Sequence, residues 1–196
     1  MKASLVFLFT LILSTNIFAE DSTNSTSASE NFNFGIKAVA KGDFESAFKY
    51  FSKAIELDPK NDDAYYELGN LFLQQSKYDK AIKNYNEAIK QNPNNANYFI
   101  KRGKAKKLNG DSNSALSDYE SALKINSDLA EAWYNIGWIK YNKMDFDGAL
   151  SALNKSIEIN PEYAHAYNLR GWVKEDMDDK DGALNDFQKY KQLTGL

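Results

Sequence analysis

Cysteine is absent from the 196 residues, histidine occurs once and proline only three times. Without cysteine there are no disulfides, no thiolate metal sites, no cysteine nucleophile and no lipid-modified N-terminal cysteine. One histidine leaves no second imidazole for a histidine-based metal site. Arginine is nearly missing, at two of the 24 basic residues. An excess of either charge is missing too. The 27 acidic residues leave a formal net charge of −3, which argues against holding nucleic acid by bulk charge. No Ser/His/Asp constellation, glycine-rich phosphate loop or metal set is visible, so the chain reads as non-enzymatic and free of cofactors. Beyond the first 18 residues no apolar run approaches membrane length. What is plentiful is hydrophobic residues, 43% of the chain, enough for a buried core.

The N-terminus has the pattern of an export signal. Met1 and Lys2 supply one positive charge. Ala3 to Leu13 is apolar apart from Ser4 and Thr10, and Ala19 before Glu20 is a small-residue exit. The run is shorter than the roughly 20 residues a bilayer needs, so residues 1–19 are expected to be cleaved, with an uncleaved anchor as the alternative. The chain is then exported to a periplasm or secreted, a thylakoid lumen remaining open, and meets the membrane only transiently. Residues 20–29, EDSTNSTSAS, have too little apolar surface to offset ordering entropy and read as a flexible polar linker.

From Ala28 onward the sequence repeats every 34 residues. Gly35, Gly69, Gly103, Gly137 and Gly171 share that spacing, as do Ala47, Ala81, Ala115, Ala149 and Ala183. Pro59, Pro93 and Pro161 fall in one register of the same period. Within a unit the spacing is helical. Tyr65, Leu68, Gly69 and Phe72 share one face; Ala81, Ile82, Tyr85, Ala88 and Ile89 share another. Each unit is therefore two helices and two turns. A mid-helix glycine costs up to about 1 kcal/mol against alanine. Five of them imply close helix approach, with the alanine series expected opposite. A second small series, Ala54, Ala88, Ala122 and Ser156, should let the next unit dock.

Tyr65-x2-Leu68-Gly69-x2-Phe72, Ala81-x3-Tyr85 and Pro93 resemble the tetratricopeptide repeat, as do Trp133-x2-Ile136-Gly137, Ala149-x3-Leu153 and Pro161. The resemblance implies an all-α, right-handed superhelical solenoid of five tandem helix-turn-helix repeats. It occupies residues 30–196, with units near 28–61, 62–95, 96–129, 130–163 and 164–196. Several positions depart from the pattern. Asn31 replaces an aromatic, Arg102 and Arg170 precede their glycines, and Lys106 and Lys174 fill aromatic slots. Tyr190 stands where earlier units carry Ala or Ser, which should end the array. Trp133 fills a core slot and is expected to be buried.

The resemblance also implies that the residues three before, one after and four after each glycine line the concave face. These are Phe32, Ile36 and Val39; Tyr66, Asn70 and Leu73; Ile100, Lys104 and Lys107; Tyr134, Trp138 and Tyr141; and Asn168, Trp172 and Glu175. Candidate contacts for a protein or peptide partner are Tyr66, Asn70, Lys101, Lys104, Lys107, Tyr134, Trp138, Tyr141 and Trp172. The Trp and Tyr row suits an interface hot spot, or the rings pack on one another between units. The basic run Lys101, Arg102, Lys104, Lys106 and Lys107 suits an acidic segment or a lipid head group, or is a solvated helix face. The carboxylate clamp that some family members use on acidic chaperone tails is not matched: Tyr66, Asn70, Lys101, Glu131 and Asn135 contain one fitting residue, and the start at Ile100 and Lys104 does no better. Glu175 to Asp181 holds five carboxylates but has Met177 at the first ligand place of a calcium loop, and reads as a turn between helices. The expected function is an exported scaffold or assembly factor that binds a segment in its groove. The alternative is a structural protein that self-associates through its last helix.

Overall fold

The computed structural model describes residues 26–196; the expected signal peptide and most of the polar linker lie outside them. Among the described residues, ten helices follow one another in antiparallel pairs: α1 (Ala28–Ala40) with α2 (Phe44–Leu57), α3 (Asp62–Gln74) with α4 (Tyr78–Gln91), α5 (Ala96–Leu108) with α6 (Ser112–Ile125), α7 (Ala130–Asn142) with α8 (Phe146–Ile159), and α9 (Ala164–Asp176) with α10 (Lys180–Thr194). Each helix packs mainly on its own partner, and each second helix that has a following unit packs next on the first helix of that unit. No strand occurs among the described residues. The fold is an all-α repeat solenoid.

Local chemistry repeats with the helices. Asp43, Asp111, Asp145 and Asp179 cap the second helix of their units, each accepting from the backbone N–H three residues on at 2.9–3.1 Å. Lys77 holds the same place in the second unit and makes no side-chain cap. The turn before each cap contains one left-handed residue: Gly42, Ser76, Gly110, Met144 or Asp178, with φ between 55° and 90°. Residues 175–181 are accordingly the end of α9, the α9–α10 turn and the start of α10. Helix α1 opens at Ala28 with a capping box between Ser27 and Glu30. Ala28 and Ser29 thus belong to the solenoid, two residues earlier than the linker boundary predicts.

The glycine series meets large side chains first, with the expected alanines close behind: a Cβ on Gly103 or Gly137 would also stand 3.3 or 3.4 Å from the carbonyl oxygen of Ala115 or Ala149. A Cβ on Gly69 would stand 2.6 Å from Tyr85 Cε1, and one on Gly137 would stand 2.8 Å from Leu153 Cγ. Phe51, Tyr119 and Phe187 play the same part over Gly35, Gly103 and Gly171. The side chain four residues after each alanine, a ring in all but Leu153, lies across the glycine, while the alanine lets the helices close behind it. Ala47, Ala81, Ala115 and Ala149 are completely buried, as are Ala54, Ala88, Ala122 and Ser156.

The departures from the repeat pattern have partners. Asn31 is buried, and its Nδ2 donates to Thr26 O, Thr26 Oγ1 and Ser27 O at 2.8–3.1 Å, closing the open end of α1. Arg102 forks onto buried Asp118 at 2.6 and 2.9 Å, and Lys106 joins at 2.8 Å. Arg170, Asp186 and Lys174 repeat this triad two units later. In both, a guanidinium NH1 also donates to an asparagine of the preceding unit, Asn86 or Asn154, at 2.7 Å. Trp133 is only half-buried, a correction to the core slot expected of it; its Nε1 donates to Ser127 O at 3.1 Å. No helix among the described residues is long and apolar enough to cross a membrane.

Candidate interaction groove

The first helices of neighbouring units touch, α3 with α5 and α7 with α9, and present their side chains on one face. Two hollows lie along it. The first, of about 310 Å³, is lined by Val39, Glu67, Asn70, Leu73, Lys101 and Lys104 among others. The second, of about 490 Å³, is lined by Tyr134, Trp138, Tyr141, His165, Asn168, Leu169 and Trp172. Lys107 joins the second hollow to the neighbouring unit. Its Nζ donates to Asn135 Oδ1 at 2.6 Å and stands 4.6 Å from the Trp138 ring centroid. Burial, and then the nearby Lys104 charge, lower its pKa to about 8.

Seven of the nine expected contacts line these hollows: Asn70, Lys101 and Lys104 the first, Tyr134, Trp138, Tyr141 and Trp172 the second. Tyr66 lines neither. It packs between Tyr98 and Tyr85, at centroid distances of 5.0 and 6.0 Å. Ile100 of the expected stripe is buried, so it belongs to the core rather than the groove. Asn70 is already engaged, accepting from Tyr85 Oη at 2.8 Å and donating to Glu67 at 3.1 Å. Tyr141 donates to Asp176 at 2.8 Å. Trp172 remains 49% exposed although it rests edge-on against Phe187. It is the largest open aromatic surface in the groove.

The basic run of unit three divides. Arg102 and Lys106 turn inward to Asp118, whereas Lys101, Lys104 and Lys107 stay on the groove side. Sequence spacing alone did not separate them. Asp118 lies sixteen residues from Arg102, and the same pairing recurs at Arg170 and Asp186; that 68-residue period is the signal that would have found it. Two groove residues were missed. Burial pushes the Glu67 carboxyl up, and His165 stands at the rim of the second hollow, 6.4 Å from Tyr134. Tyr119 carries the one buried side-chain polar atom without a hydrogen-bond partner among the described residues. Its counterpart Tyr85 donates to Asn70, whereas the matching place in unit three is Lys104, which makes no bond to Tyr119. No set of three His, Cys, Asp or Glu among the described residues is placed to hold a metal ion.

Sequence profiles of the tetratricopeptide repeat match residues 38–76, 69–110 and 130–163, together more than half of the chain. No curated protein matches in sequence. Among solved structures, MamA is similar in fold at 24% identity, over 85% of this chain and 91% of that one, with a TM-score of 0.75. YrrB, described as a protein of these repeats with an unusual peptide-binding site, is 24% identical over 85% and 86%, with a TM-score of 0.70. PilF of Pseudomonas aeruginosa is 17% identical over 84% and 75%, with a TM-score of 0.77.

Proposed function

Since the chain belongs to the tetratricopeptide repeat family, whose members bind protein or peptide partners, we propose that it is an exported scaffold holding an extended partner segment in its groove. The observation that carries this reading is the pair of hollows in series, one edged by Lys101 and Lys104, the other walled by Trp138 and Trp172. The first suits a carboxylate on the partner; the second suits an aromatic or branched apolar side chain. Neighbouring first helices stand roughly 10 Å apart, so Lys104 and Trp172, two units apart, are separated by about 20 Å. An extended chain covers that in about six residues. The ligand is a segment with an acidic residue and an apolar anchor at that separation. Export rests on the charged, apolar and small-residue pattern of Met1 to Ala19.

The test is selection from a random peptide library, read by tryptophan fluorescence. Selected peptides should carry the acidic and apolar pair, and Trp172→Ala should weaken them about thirtyfold, a hot-spot loss. Peptides that bind Trp172→Ala and Lys104→Ala as well as the parent would reject the groove. N-terminal sequencing of protein from the producing cell should begin at Glu20.

A further inference from the structure

The two ends of the solenoid match each other in the register that joins its internal units. At the junctions of units three to four and four to five, the second helix of one unit docks on the first helix of the next. Leu116, Tyr119 and Leu123 of α6 pack with Ala132, Ile136 and Ile139 of α7. Leu150, Leu153 and Ile157 of α8 pack with Ala166, Leu169 and Val173 of α9. At the rim, Lys143 donates to Asn113 of the preceding unit at 2.6 Å, and Asn109 donates to Asp79 at 3.0 Å.

Moving that register past the last unit gives Leu184, Phe187 and Lys191 on α10, with Asp181 at the rim. Moving it before the first gives Glu30, Phe34 and Lys37 on α1, with Lys41 at the rim. Leu184 is 55% exposed and Phe34 is 37% exposed; of the four internal counterparts of Phe34, Leu68 and Ile136 are buried, and Arg102 and Arg170 reach an asparagine of the preceding unit. Tyr190, which was expected to end the array, turns toward His165 of its own unit at 6.4 Å. In one register Phe34 would meet Leu184 and Phe187, Lys41 would meet Asp181, and Glu30 would meet Lys191, with Lys37 at the place that internal units fill with Leu71, Ala105, Ile139 or Val173.

We infer that a second copy of this chain docks head to tail, its α1 face against α10, continuing the solenoid across the junction. Such a contact uses two different surfaces, so it grows open chains rather than closing as a symmetric dimer. It is independent of any ligand in the groove.

Sedimentation velocity on the purified protein, up to about 1 mM, tests this. The weight-average mass should rise with concentration past that of a dimer. Phe34→Glu and Leu184→Glu should each raise the dissociation constant at least about tenfold. An equal mixture of the two should form a dimer that stops there, because one good head meets one good tail. Lys41→Glu and Asp181→Lys test the register on fully exposed side chains: each should weaken association, and the two together in one chain should restore it. Circular dichroism confirms that every variant is folded. A parent that stays monomeric overturns the inference. So does a mixture without heterodimers, or a Lys41→Glu, Asp181→Lys chain no better than its single variants.

Discussion

Tyr85 and Tyr119 occupy the same place in consecutive units, and both are fully buried. Burial pushes both hydroxyls well above the usual phenol range. One is satisfied and one is not: Tyr85 donates to Asn70, whereas the position equivalent to Asn70 in unit three is Lys104, which makes no bond to Tyr119. Deleting the two hydroxyls should therefore give opposite results. Tyr85→Phe orphans Asn70 Oδ1 and should cost about 1 kcal/mol in urea unfolding. Tyr119→Phe removes a group that is desolvated without return, and should be neutral or stabilise by up to about 1 kcal/mol. Equal losses at both sites would show that Tyr119 has a partner in solution. At this scale the sequence exposed the helical faces but not the choice of partner. Asn70 sits on the expected concave stripe, yet its bond to a tyrosine fifteen residues away was not readable from spacing.

Each second helix begins from the same turn: a left-handed residue, a cap, then the first helical residue. The sequence shows the cap as aspartate in units one, three, four and five and as lysine in unit two. Lys77 brings a positive charge to a helix N-terminus and offers no acceptor. Lys77→Asp should stabilise the protein by about 1 kcal/mol, read as a rise in the urea midpoint with unchanged slope; no gain would mean that water already satisfies those N–H groups. The two-helix content of the units was legible from periodicity. The packing of the glycines was only half legible. A close approach followed from five costly glycines, but which side chain fills it depends on how the partner helix is rotated, and that set Tyr85 rather than Ala81 over Gly69.

Across the whole molecule, carboxylates that cap or pair link stability to pH. Bonds from Ser46 hold Asp43 below the usual carboxylate range, bonds from Ser114 do so for Asp111, and Lys140 with the Gly148 N–H does so for Asp145. Burial alone would push Asp186 up, but the bonds and charges of Arg170 and Lys174 outweigh it and hold it low. A group whose folded pKa is depressed contributes its stability above its unfolded value and loses it as pH falls through the folded one. The urea midpoint should thus be flat from pH 7 to about 5 and fall progressively below about 4. Replacing Asp43, Asp111 and Asp145 together with Asn should flatten part of that fall, because Asn caps without titrating. An unchanged acid profile in the triple variant would assign the fall to other carboxylates, Asp186 first among them.

The sequence by itself determined the number of units, their two-helix content, the turns between them and the face that carries Trp138 and Trp172. All of these follow from residue type at a fixed period, which a one-dimensional pattern records in full. Only the tertiary structure decided how the basic run of unit three divides, which aromatic stays open and which end surfaces match. Those depend on the rotation of each helix against its neighbours. On one helix, Arg102 and Lys104 are two residues apart, and their directions part them: the guanidinium finds a buried carboxylate on α6, while the lysine lines a hollow shared with α3.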